Sequence, residues 1–128
     1  MKKVILAALA VLIILPQAMA GGKIRVACVG DSVTYGMTIE NREQNCYPAQ
    51  LQLLLGDGYD VRNFGHSGTT LLSRGHNPYV KVDEYRQALD FKADIVIIHL
   101  GLNDTDPRNW PEYAEDFVPD YQIGRAHV

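Results

Sequence analysis

Residues 29–36 read Val29-Gly30-Asp31-Ser32-Val33-Thr34-Tyr35-Gly36, and they close the near-continuous apolar run Ile24–Val29. Such a run has the composition of a parallel strand covered on both faces. A serine just past the end of that strand stands where doubly wound α/β sheets hold their ligands. Gly30 permits a sharp turn, and Asp31 can fix the turn by accepting from nearby backbone N–H groups. Ser32 is then expected near the start of the next segment, with its hydroxyl exposed and its own N–H aimed at substrate. The stretch is not a Gly-x-Ser-x-Gly elbow, because Thr34 stands where the second glycine belongs. By itself, Gly-Asp-Ser reads as a turn with a helix-capping serine.

Two later stretches give it more meaning. Asn63-Phe64-Gly65-His66-Ser67-Gly68 follows a second short strand, Tyr59–Phe64, and Gly101-Leu102-Asn103-Asp104 follows a third, Ile95–Leu100. Asp60 and Arg62 interrupt the apolar residues of the second run, which suits an edge strand. Between the first two strands, Pro48 opens a helix, and Tyr47, Leu51, Leu54 and Leu55 recur on one apolar face before Gly56 and Gly58 stop it. A second helix is expected from Asp83 as N-cap to Lys92, burying Tyr85, Ala88 and Leu89. Strand–helix–strand–helix–strand with the second strand at the edge gives the order 2-1-3. That order puts the switch point between strands one and three, beside Ser32 and Asn103.

On these three glycine-bearing blocks the chain resembles the SGNH (GDSL-type) hydrolases, a family of serine esterases. The first block matches Gly30–Gly36, the second places its glycine at Gly68, and the third matches Gly101–Asp104, in the family's order and approximate spacing. The resemblance runs from about Lys23 to Tyr121. It implies a flavodoxin-like three-layer α/β/α sandwich with a parallel sheet, truncated after the third strand. It further implies Ser32 as nucleophile, with oxyanion donors from the Ser32 N–H, the Gly68 N–H and the Asn103 side-chain amide. These roles fit ester hydrolysis, which needs a nucleophile, a base with an orienter, and donors for the tetrahedral oxygen.

The family's late Asp-x-x-His block, which supplies the base, has no counterpart here. Asp104 is expected to fix the Asn103 turn. His99 ends the third strand as a satisfied structural histidine, while His66 and His76 face solvent or substrate from the second loop. The loop Ser67–Val80 is expected to face substrate. Neither a cofactor nor a metal is expected, because Asp104 and Asp106 suit turn positions before Pro107.

Lys2 and Lys3, the apolar Val4–Leu15, Pro16 and the small-x-small Ala18-Met19-Ala20 make residues 1–20 a signal segment removed after Ala20. Export is therefore expected, with no stable membrane anchor. Residues 21–122 then form the N-terminal part of the hydrolase domain. Ile123–Val128 translates part of a widely used short-read library adapter, so residues 123–128 are expected to be a non-native tail. After Tyr113, Ala114, Phe117 and Val118, Pro119 is expected to interrupt a short helical stripe.

The mature stretch carries ten basic against fifteen acidic residues, which does not suit a nucleic-acid partner. Cys28, in mid-strand, is expected to be a buried free thiol rather than disulfide-bonded to Cys46. The resulting expectation is an exported serine esterase acting on small-molecule or carbohydrate acyl esters. Within the family, Gly101–Pro111 most resembles members that remove acyl groups, often acetyl, from carbohydrates, with lipid and thioester substrates left open. The alternative is a non-catalytic carbohydrate-binding module on the same fold.

Overall fold

Three apolar runs pair as the sequence leads one to expect. In the computed structural model, which describes residues 21–127, β1 (Ile24–Gly30) is the central strand of a parallel sheet ordered β2-β1-β3. β2 spans Tyr59–Gly65 and β3 spans Ile95–His99. The signal segment read at residues 1–20 lies outside the described residues, as does Val128. Among the described residues no helix is long and apolar enough to cross a membrane.

Side chains alternate across a strand, so β1 builds a core on each face. Ala27 and Val29 pack with Phe64, Tyr79, Ala88 and Phe91 beneath α4 (Asp83–Phe91). Val26 and Cys28 turn to the opposite face, where α1 (Ser32–Tyr35) and α3 (Tyr47–Leu55) lie. The result is three layers, α/β/α. A short helix, α2 (Arg42–Asn45), precedes α3, and α5 (Phe117–His127) follows the third turn. Each large side chain wholly removed from water stabilises the fold by about 1.5–3 kcal/mol, and Leu72, Val26 and Val29 are the largest such apolar groups.

Several expected details come out differently. Leu54 is 83% exposed, and α3 instead buries Pro48 and half-buries Leu51 and Leu55. Gln52 takes a structural place on that helix. Its Nε2 donates to the carbonyls of Gly56 and Tyr59, and its Oε1 accepts from the Val61 N–H at 2.8 Å. Val82, not Asp83, is the N-cap of α4. Phe91 joins Ala88 in its core, while Tyr85 and Leu89 are only half-buried. Pro119 does not interrupt α5, because it lies in the helix's first turn, where no intrahelical N–H bond is lost. β3 is not covered on both faces. Ile95, Ile97 and His99 share the face opposite the α4 core and are exposed.

Both cysteines are free and buried, as expected of Cys28. Burial pushes the Cys28 thiol up to about 11 and the neighbouring Tyr47 phenol up to about 12. A thiol with a raised pKa is almost wholly protonated at pH 8, and the protonated form is unreactive. With Cys46 buried as well, the folded protein should react with Ellman's reagent at pH 8 only after guanidinium is added. Rapid native-state labelling of Cys28 would contradict the placement.

Candidate active site

The site begins with how the three strand ends are joined. Gly30 pairs in register with Gly65 on one side and His99 on the other. The Asp31 N–H donates to the His99 carbonyl at 3.3 Å, and the His66 N–H donates to the Gly30 carbonyl at 2.9 Å. The three turns carrying Ser32, Gly68 and Asn103 therefore leave adjacent strands at one level of one sheet edge.

Ser32 is the first residue of α1, so its N–H has no intrahelical partner. Asp31, fully buried, caps the helix. Its Oδ1 accepts from the Val33 N–H at 3.0 Å, as the turn reading expects. Asp31 Oδ2 has no hydrogen-bond partner among the described residues, and His99 Nδ1 stands 3.8 Å from Oδ1. That gap is too long for a hydrogen bond, and the His99 side chain is exposed. His99 is thus not the satisfied structural histidine expected at the end of the third strand, since the face it occupies is uncovered. The far end of α1 is anchored to β2. Asn63 Nδ2 donates to the Thr34 carbonyl at 2.8 Å, and Asn63 Oδ1 accepts from the Gly65 N–H at 2.8 Å. Tyr47 hydroxyl meets Thr34 Oγ1 at 3.2 Å.

Gly68 adopts φ +80°, and a Cβ there would meet nothing closer than Asn77 Nδ2 at 3.7 Å. Glycine is therefore required by backbone conformation and not by crowding. The loop beyond it is packed rather than open, contrary to a wholly substrate-facing loop: Thr69, Thr70, Leu71 and Leu72 are all buried. His76 is exposed and His66 half-buried. His66 Nδ1 meets Glu84 Oε2 at 2.9 Å. The Tyr79 hydroxyl donates to the Phe64 carbonyl at 2.5 Å, and burial holds that phenol well above its usual range.

Asn103 opens a short 3-10 turn, Asn103–Thr105. Its Nδ2 donates one hydrogen to the Thr69 carbonyl at 2.9 Å, leaving the second amide hydrogen for another acceptor. Asp104 is buried, and its two carboxylate oxygens accept from the N–H groups of Leu71 and Leu72 at 2.9 and 2.8 Å. Asp104 thus ties the second turn to the third, a wider role than fixing its own. Asp106 is held well below the usual carboxylate range by hydrogen bonds from Arg108. An apolar cavity of about 250 Å³ adjoins this turn, lined by Gly101, Asp104, Thr105, Trp110 and Phe117. Asn109, fully buried, was not singled out by the sequence. An asparagine inside a Pro-containing loop has no periodicity to mark it as interior, and its burial is visible only in three dimensions.

The model of the GDSL-like lipase/acylhydrolase family matches residues 28–122. The chain is 50% identical over 99 residues to an acetylxylan esterase of Xylanibacter ruminicola, covering 77% of this chain and 20% of that protein. It therefore spans about a fifth of that relative's length. The crystal structure of AlinE4, an SGNH-hydrolase family esterase, superposes with a TM-score of 0.59 at 23% identity, over 84% of this chain and 57% of that one. A mutant of the same esterase superposes equally well. These structures share the fold.

The Asp104 tie gives a direct test. Asp104→Asn keeps the shape but turns an amide N–H toward one of two buried backbone N–H groups. The unpaired donor should cost about 1–3 kcal/mol, read as a lower urea midpoint with the slope unchanged. An unaltered midpoint would show that the two turns do not depend on this carboxylate.

Proposed function

The chain belongs to the GDSL-like lipase/acylhydrolase family, and on that footing we propose that it is the N-terminal part of an exported serine esterase acting on acetyl esters of a carbohydrate. The observation that carries the reading is the common register of Gly30, Gly65 and His99, which launches three polar turns from adjacent strand ends. The relative named as an acetylxylan esterase supports the choice of acyl group and alcohol.

In the proposed reaction, Ser32 Oγ attacks the ester carbonyl carbon while a base takes its proton. The carbonyl π pair moves onto oxygen, and the resulting oxyanion accepts from the Ser32 N–H, the Gly68 N–H and the free Asn103 amide hydrogen. The proton then passes to the departing sugar oxygen as the C–O bond breaks and leaves an acyl-serine. Water, deprotonated by the same base, repeats the attack and releases acetate. Each donor suits its role: a glycine lets backbone approach the oxygen closely, and an amide adds hydrogen bonding without charge. One such donor is worth about 3–4 kcal/mol in the transition state.

The base is assigned to sequence beyond this chain, in the Asp-x-x-His block that the family resemblance implies. The exposed apolar face of β3, with Ile95 at 47% and Ile97 at 36% exposure, is consistent with further chain covering it.

In the full-length protein, Ser32→Ala should abolish turnover of p-nitrophenyl acetate and labelling by a fluorophosphonate. Asn103→Ala should slow turnover about 10²–10³-fold and leave Ser32 open to the label. Undiminished hydrolysis by the Ser32→Ala protein would refute the assignment.

A further inference from the structure

Asn109 is a fully buried polar side chain, placed between two of the three segments that carry the proposed oxyanion donors, the Asn103 turn and the loop after Gly68. Its Oδ1 accepts from the His76 N–H at 2.8 Å. Its Nδ2 donates to the Asn103 carbonyl at 3.0 Å and meets His76 Nδ1 at 2.9 Å. These contacts fix the amide's orientation, since a flipped amide would set oxygen against the Asn103 carbonyl and N–H against the His76 N–H. An amide nitrogen can only donate, so His76 Nδ1 accepts and the ring proton sits on Nε2.

The Asn109 backbone is held as firmly. Its N–H donates to the Asp106 carbonyl at 2.8 Å, and its carbonyl accepts from the Tyr113 N–H at 2.9 Å. Asp106 is in turn clamped to Arg108 through both carboxylate oxygens.

We propose that Asn109 is a positioning residue for the oxyanion site, setting the Asn103 amide through the Asn103 carbonyl and holding the Gly68 loop against it through His76. Asn103 itself donates to the Thr69 carbonyl. Its remaining amide hydrogen can therefore point at substrate only while the Asn103 backbone and the Thr69 segment keep their spacing. Asn109 spans this spacing alongside the Asp104 tie to Leu71 and Leu72, touching Asn103 on one side and the same loop at His76 on the other. Misplacement of a reacting group by about 1 Å can cost on the order of 10²-fold in rate, so the effect belongs in kcat. The inference rests on the reading of Ser32 and Asn103 given above.

The test is a double-mutant cycle in the full-length protein, with p-nitrophenyl acetate as substrate. Asn109→Asp keeps the size and the acceptor for the His76 N–H but removes donation to the Asn103 carbonyl. It should lower kcat about 10–100-fold with KM changed less than about two-fold. In an Asn103→Ala background the same change should lower kcat less than about three-fold, because the group it positions is gone. Asn109→Ala, which removes both the bond to the Asn103 carbonyl and the acceptor for the His76 N–H without placing a carboxylate there, carries the same test if Asn109→Asp does not fold. Equal losses in both backgrounds, or an unchanged kcat in the folded single variant, would overturn the proposal. Ser32→Ala is measured alongside. Hydrolysis that survives it strikes the esterase reading and this inference together, whereas additive losses with Ser32-dependent hydrolysis strike only the role of Asn109.

Discussion

The arrangement depends on the absence of a side chain at Gly30. A Cβ at that position would lie 2.1 Å from Thr34 Oγ1 and 2.6 Å from the His99 carbonyl oxygen. Contacts that short are impossible, so any larger residue would push α1 off the sheet edge or part β1 from β3. With glycine there, the Asp31 N–H reaches the His99 carbonyl and the chain enters α1 immediately. Ser32 is thereby set at a helix start directly above the strand ends. A glycine that the sequence suggests is there for a sharp turn is there for close approach.

From that junction outward, polar contacts do the work that an apolar core does in the sheet. Asp104 holds Leu71 and Leu72, Asn103 holds Thr69, and Asn109 holds Asn103 and His76. A buried network of this kind is rigid when every member is satisfied. Among the described residues the exception is Asp31 Oδ2, buried beside Ser32 without a partner. The least settled part of the electrostatics is thus next to the proposed nucleophile, and not in the turns that surround it.

The strands and their order were legible because a central parallel strand must be apolar on both faces, as Val26–Val29 are, while an edge strand tolerates Asp60 and Arg62. The turns were legible because glycine, asparagine and aspartate have few other uses directly after a strand. Less was legible where neighbours decide. Leu54 fits a helical stripe by spacing, yet among the described residues its side of α3 is left exposed, and Gln52 does more for the fold than its polarity suggests. The pattern Ile95–Ile98 promised two covered faces, but cover depends on elements outside the strand. Asp104 and Asn109 read as loop residues because a side chain that satisfies distant backbone groups leaves no local signature. Pro119 departs from its sequence expectation for a simpler reason: its effect depends on which turn of a helix it occupies.

The central claim is that Ser32, Gly68 and Asn103 surround one oxygen. It is tested most directly by a crystal structure of the full-length protein inactivated with a monofluorophosphonate ester. The account predicts a covalent bond from Ser32 Oγ to phosphorus. It also predicts one phosphoryl oxygen within about 2.7–3.1 Å of the Ser32 N, the Gly68 N and Asn103 Nδ2. An adduct on another residue, or a phosphoryl oxygen turned away from these three donors, would contradict it.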